Sequence, residues 1–273
     1  MFLATLRPAA EDVIPLPTEG KTFSQRLRKV LERVLAVIHR TLFPFLMLLD
    51  AALPIYAIDV RLMKYLLSLT ENAHVSKPHT RAAITISVIF GILWLLWTVP
   101  LGYCLWSHYW VARRWKPVST PLPNKQVSGK TGEPRLCYRC NIFMPARTYH
   151  CPVMDKCLPH YDHFCPWWAG GVWIHNLKAY LLFLAFLPPY QAFVFGIGMW
   201  VAADKDKRSS CKIVMGTGIA CGAALVLSTV IMLEMWIRLG FWNLLTSEHD
   251  GCFLVDDAGV PQEIKDPWDQ GWR

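Results

Sequence analysis

Three long windows of the chain contain no Asp, Glu, Lys or Arg: Ala82 to Ala112, Ala179 to Ala203 and Ile213 to Leu233. Each exceeds the ~18 to 20 residues that an α-helix needs to cross the hydrocarbon of a bilayer. A fourth stretch, Leu42 to Ile58 ("LFPFLMLLDAALPIYAI"), is shorter and holds Asp50, Pro44 and Pro54. It is read as a span as well, because an odd number of crossings would put the termini on opposite sides. The pattern predicts an all-α polytopic membrane protein with four transmembrane helices at 42–58, 82–112, 179–203 and 213–240. Between and around them lie an N-terminal segment 1–41, loops 59–81 and 204–212, a central loop 113–178 and a tail 241–273. From Thr22 to His39, apolar Leu27, Val30, Leu31, Val34, Leu35 and Ile38 recur at helical spacing among basic residues. That segment is either a helix on the membrane surface or the start of a long first helix. "PVSTPLPNKQVSGKTGEP", Pro117 to Pro134, reads as a linker, and Pro188-Pro189 should kink the third span.

Composition agrees with the membrane reading: 53% of the residues are hydrophobic and only 18% charged, against about 25% charged in an average soluble domain. The N-terminus shows no short apolar stretch with a small-residue cleavage site, so no signal peptide is expected. The net charge of +8 is spread over loops and points to no nucleic-acid partner. Lys and Arg number 7 in 1–41 and 10 in 113–178, against 4 in 59–81 and 4 in 204–212. By the positive-inside rule the N-terminus, central loop and tail are expected in the cytosol. Of the 9 Cys, five fall in the central loop: Cys137, Cys140, Cys151, Cys157 and Cys165. In a reducing compartment such clustering points to metal or catalysis rather than to disulfides.

Cys137, Cys140, His150 and Cys157 are spaced C-x2-C-x9-H-x6-C. Three thiolates and one imidazole suit one closed, structural Zn2+ site, and a loop with little apolar sequence needs such a site to hold a shape. Further on stands "YDHFCPWW", Tyr161 to Trp168. Residues two apart on an extended chain face one side, so His163 can meet Cys165 and activate it as a nucleophile. Asp162 would fix the imidazole, but only if the backbone turns there, since a flat strand points it away. On spacing alone, Cys165 stands equally as a nucleophile and as a further zinc ligand or inert thiol.

"CYRCNIFMPARTYHC", "DHFCPW" and "HNLKAY", in a loop between the second and third of four spans, resemble the DHHC palmitoyltransferases. "LTSE" (Leu245 to Glu248) resembles that family's Thr-Thr-x-Glu motif, and "DPWDQG" its Asn-Pro-x-Asp-x-Gly segment. The resemblance is dense over Cys137 to Tyr180 and topological elsewhere. It implies transfer of a long-chain acyl group from acyl-CoA, through an acyl-enzyme thioester, to a cysteine of a cytosolic or peripheral membrane protein. Carried over by position, Cys165 is the acyl-accepting nucleophile, His163 and Asp162 activate it, and Cys137, Cys140, His150 and Cys157 hold zinc. Trp167 would lie beside the acyl chain, and Asn176, Thr246 and Glu248 would support the site. Arg147, Lys156 and Lys178 are candidates for the CoA phosphates. The expected location is an endomembrane or the plasma membrane, with the active site facing the cytosol.

The chain also departs from the family. Its second zinc site takes three Cys and the second His of the tetrad. Here Cys151 remains, while Met154, Phe164 and Gly171 fill the other positions. A thioether, a phenyl ring and a hydrogen cannot complete a site, so one zinc is expected, with His160 and His175 as the conceivable substitute ligands. Met154, Phe164 and Trp168 are expected to pack a small core instead. A fungal branch of the family resembles this chain in both the degenerate site and the Gly-Gly. Since the trio Asp162, His163 and Cys165 is intact, an enzyme is the favoured reading. The alternative is a catalytically inactive membrane adaptor with a zinc-stabilised protein-binding loop. A membrane-anchored ubiquitin ligase is disfavoured, because it would need two complete zinc sites.

Overall fold

A computed structural model describes residues 23–72, 77–117, 126–128, 136–145, 147–246, 252–255 and 261–262. In chain order the helices are α1 (Phe23–Ile55), α2 (Met63–Asn72), α3 (Lys77–Trp106), α4 (Leu177–Ala203), α5 (Lys205–Ser210) and α6 (Lys212–Met235). Single π-helical segments follow α1, α3 and α6, at Tyr56–Leu62, Ser107–Ala112 and Trp236–Phe241. Short strands supply the rest: β1 (Gln126–Ser128), β2 (Leu136–Cys137), β3 (Ile142–Phe143), β4 (Thr148–Cys151), β5 (Lys156–Pro159), β6 (His163–Cys165), β7 (Gly170–Val172), β8 (Cys252–Val255) and β9 (Pro261–Gln262).

Among the described residues, four helices are long and apolar enough to cross a membrane: Thr41–Ser68, Thr80–Ala112, Leu177–Ala203 and Lys212–Phe241. Val88, Ile92, Val99, Val226 and Val230 stay exposed on their outer faces, as lipid-facing side chains should. Spans three and four approach most closely at Gly198 and Gly218, where a Cβ on either would lie 2.6 Å from the other's Cα. Such glycine contacts bring helix backbones together where dispersion, rather than water exclusion, drives association. Trp97 of span two packs on Phe183 and Tyr190 of span three. Span one is tied in by Trp94, whose indole N–H donates to the Ala51 carbonyl at 3.0 Å, and by Tyr190, whose hydroxyl donates to the Asp50 carbonyl.

The structure decides one alternative that the sequence left open and departs from the expectations in two places. α1 runs without a break from Phe23 through Ile55, so the Thr22–His39 segment is the start of a long first helix from Phe23 onward. The expected loop 59–81 is largely helical: span one continues to Ser68, and the Asp59 carboxylate accepts a hydroxyl bond from Ser87 of span two at 3.0 Å. The expected linker contains β1, which pairs antiparallel with β8 of the tail, Val127 opposite Phe253. Pro188 and Pro189 both lie inside α4, which is continuous through them. In the loop 204–212, the Asp204 carboxylate caps α5 by accepting from the Asp206 and Lys207 amides.

Candidate active site and metal centre

Between spans two and three the chain folds into three antiparallel hairpins, β2–β3, β4–β5 and β6–β7. The first two bring Cys137, Cys140, His150 and Cys157 together, with ligand atoms all within 4.8 Å of one another. His150 Nδ1 faces the sulfurs of Cys137 (3.5 Å) and Cys140 (3.4 Å), and the Cys140 amide points at the Cys137 sulfur. The other ring nitrogen lies 3.4 Å from the Asp155 carboxylate, an outer partner of the kind that orients a metal-binding imidazole. Burial, and then the neighbouring thiols, push the Cys157 thiol up; burial likewise raises Cys140 and lowers His150. Three cysteine sulfurs around one imidazole are the donor set that a divalent cation satisfies. The four residues fit a structural zinc ion.

The third hairpin carries the candidate reactive residues His163 and Cys165, with Asp162 just before it. His160 adopts a left-handed conformation (φ 47°) just before it, which supplies the turn that Asp162 needs. Asp162 therefore precedes the strand instead of alternating within it, and its amide is held by the Val172 carbonyl. Its Oδ2 accepts from His163 Nδ1 at 2.5 Å. Its Oδ1 accepts from both the amide (2.5 Å) and the hydroxyl (2.9 Å) of Thr246, just beyond span four. His163 and Cys165 stand two apart on β6 and face the same side of it. Burial alone would raise the Asp162 carboxyl, but the hydrogen bond and charge of His163 and the Thr246 amide hold it below the usual range. Burial alone would lower His163, but Asp162 and then Cys165 drive it up to about 9. Asp162 and His163 thus form an ion pair at neutral pH.

Asn176 anchors the far end of the hairpin at the start of α4. Its side-chain carbonyl accepts from the Trp173 amide (2.8 Å), and its NH2 donates to the Gly171 carbonyl (2.9 Å). Cys165 and Trp167 line the mouth of a cavity of about 360 Å³ between spans one, three and four. Phe183, Leu184 and Leu187 make its wall apolar, and Phe43 of α1 packs edge-on against Trp167 with ring centroids 4.6 Å apart. Deeper in, Asp50 accepts from Gln191 (2.9 Å) and Cys221 (3.5 Å), and Ser228 donates to the Gln191 carbonyl (2.6 Å). A carboxylate at this depth must be paired, and here its partners come from spans three and four.

The cationic candidates are placed differently from the expectation. Arg147 is buried and donates to the side chain (3.2 Å) and the backbone carbonyl (2.6 Å) of Asn243 after span four. Lys156 points its ammonium at the carbonyls of Ala112, Arg113 and Trp115, capping the end of span two. Both are engaged inside the protein, because the closing ends of spans two and four leave carbonyls that need donors. Lys178 is exposed at the first turn of α4. Glu248 and the DPWDQG segment lie outside the described residues. His175 meets Trp173 edge-on (4.5 Å), and the His160 amide donates to the Arg147 carbonyl; neither belongs to the metal-competent group found among the described residues. Around the other lost positions, Cys151 is buried against Tyr161, and Met154 and Trp168 join the main apolar core. One residue that spacing did not indicate also belongs here. His108, at the end of span two, accepts the Gly171 amide at 3.0 Å.

Fold and site together define a multi-pass membrane protein in which a zinc-type loop presses a Cys–His–Asp trio against an intramembrane cavity. Residues 130–249 match the model of the DHHC palmitoyltransferase family. The matched stretch holds the metal-competent group and the Asp162, His163 and Cys165 trio, and the chain is similar to that family over it. It is 34% identical over 79 residues to Palmitoyltransferase PFA3 of Candida albicans, a match covering 29% of this chain and 21% of the relative. It is 31% identical over 137 residues to Palmitoyltransferase ZDHHC2 of Homo sapiens, covering 48% and 36%. With human Palmitoyltransferase ZDHHC9 it shares 32% over 87 residues, covering 32% and 24%. The chain therefore spans between about a fifth and a little over a third of the length of these curated relatives.

Proposed function

We propose that this protein is a protein S-acyltransferase that moves a long-chain acyl group, such as palmitoyl, from acyl-CoA to a cysteine of a cytosolic or peripheral membrane protein. The observation that carries this reading is the line Thr246–Asp162–His163–Cys165 ending at the mouth of the apolar cavity. The cationic His163 ring stabilises a thiolate on Cys165. That thiolate attacks the carbonyl carbon of the acyl-CoA thioester. The bond from that carbon to the CoA sulfur breaks, and the departing CoA thiolate takes the proton of His163. A substrate cysteine then gives its proton to His163 as its sulfur displaces Cys165, which leaves as the thiolate. Both half-reactions exchange one thioester for another, so little driving force is required and positioning dominates.

The acyl tail would occupy the cavity with Trp167 beside it, while the CoA phosphates stay at the basic cytosolic side, where Lys178 is the remaining exposed candidate. The excess of Lys and Arg in the N-terminal segment and central loop supports that orientation in an endomembrane or the plasma membrane. Cys137, Cys140, His150 and Cys157 would hold one structural zinc, which when bound stiffens the loop that carries the hairpin. The test is labelling of the full-length protein in detergent with radiolabelled palmitoyl-CoA. Hydroxylamine-sensitive label is expected on the wild type, with steady CoA release, and none on Cys165→Ser. Absence of label on folded, zinc-loaded wild type would return the chain to the adaptor reading.

A further inference from the structure

The two faces of the reactive hairpin are held in different ways. On one face, Cys165 lines the cavity and His163 meets Tyr180 edge-on at 5.6 Å. On the other face, Phe164 points toward span two, its ring 6.2 Å from the imidazole of His108. That imidazole also meets Trp168 edge-on at 5.9 Å and Tyr109 at 4.7 Å, and it is buried. Gly171 pairs with Phe164 across the hairpin. Its amide donates to His108 Nδ1 at 3.0 Å, and its carbonyl accepts from Asn176 at 2.9 Å. One residue of β7 is therefore gripped through both its backbone groups, by the end of span two and by the start of span three. A Cβ at position 171 would fit only tightly, 3.3 Å from the Tyr161 ring and 3.7 Å from His108 Nδ1, so glycine lets the strand lie close to both. The grip needs an acceptor at the Nδ1 position, so the imidazole is neutral with its proton on Nε2. No metal-competent group forms on this face among the described residues.

We propose that His108 is the positioning residue of this site. By accepting the Gly171 amide, it fixes the hairpin of His163 and Cys165 to the end of span two. The activity arm of this proposal rests on the acyltransfer reading; the structural arm does not. Three variants separate acceptor from ring. His108→Phe keeps an aromatic ring and removes the acceptor, His108→Asn places a carbonyl oxygen where Nδ1 stood, and His108→Gln places it farther out, near Nε2. Full-length protein in detergent is assayed for the single-turnover rate of acylation by palmitoyl-CoA, and by hydrogen exchange of the 168–176 segment against the 148–158 metal-loop segment.

In His108→Phe and His108→Gln the rate at saturating palmitoyl-CoA falls at least about tenfold, as a small misplacement of reacting groups requires, with the half-saturating concentration little changed. The hairpin exchanges faster in both, while the metal loop does not. His108→Asn returns rate and protection to within about threefold of wild type, since one buried amide is satisfied again. Wild-type rate and protection in His108→Phe would overturn the proposal, and so would a His108→Asn variant as impaired as His108→Phe. If wild-type protein takes no label at all, the acyltransferase reading falls. The exchange contrast then still decides whether His108 holds the hairpin.

Discussion

At the scale of single residues, the site depends on how Asp162 is held. Two of the three hydrogen bonds to its carboxylate come from Thr246, 84 positions later in the chain. Thr246→Val removes the hydroxyl and leaves the amide. Loss of one hydrogen bond to a charged group is worth about 1.5–3 kcal/mol, so the acylation rate should fall roughly 10- to 100-fold in single-turnover assays. The pH dependence follows from His163. Its ring holds a proton up to about 9, above the 6.5 of an unperturbed histidine, so the folded state binds that proton more tightly than the unfolded one. The stabilisation is complete below about 6.5 and is lost as pH rises through about 9. Melting temperature should therefore decline across that window, and Asp162→Asn should flatten the decline. The trio is legible in "YDHFCPWW" through the family resemblance, because spacing alone leaves Cys165 equally a nucleophile, a zinc ligand or an inert thiol and brings in Asp162 only if the backbone turns. His108 and Asn243 could not be read, because their partners are backbone groups and a buried guanidinium some 60 to 100 positions away. The same limit hid the partners of Arg147 and Lys156: sequence shows a cation, not the carbonyls it bonds.

At the scale of elements, the spans were legible wherever charge was absent for twenty residues or more. Span one was drawn too short because Asp59, Arg61 and Lys64 interrupt its sequence, whereas the helix tolerates them near its end and pairs Asp59 with Ser87. The hairpins were legible only through their ligands, since strands of two to four residues carry too little periodicity to detect. The packing of spans one, three and four gives the cavity its shape, and it makes a prediction. Ala224 of α6 lines it. Ala224→Phe adds a ring to an apolar channel that a long acyl chain would otherwise fill. In competition between acyl-CoA species, preference should shift toward shorter chains by about tenfold or more, the worth of one to two methylenes, with the melting temperature held nearly constant. An unchanged chain-length profile would mean that the acyl chain lies elsewhere.

At the scale of the whole molecule, the central loop and the end of span four form one unit. Arg147 clasps Asn243, Thr246 grips Asp162, and β1 pairs with β8, each joining segments from either side of spans three and four. Arg147→Met would leave the Asn243 carbonyl without its charged donor. It should cost about 1.5–3 kcal/mol and lower both melting temperature and acylation rate, while metal content, measured by elemental analysis, stays at the wild-type level. The Thr246–Asp162 grip also has a bearing on biosynthesis. A ribosome adding about 5–20 residues per second makes the nucleophile several seconds before it makes the threonine that steadies the trio. Nascent chains would thus pass through translation with an unarmed cysteine, and reactivity would switch on only when the fourth crossing is complete. Chains that stall or insert incompletely would carry the motif without the means to acylate themselves or their neighbours.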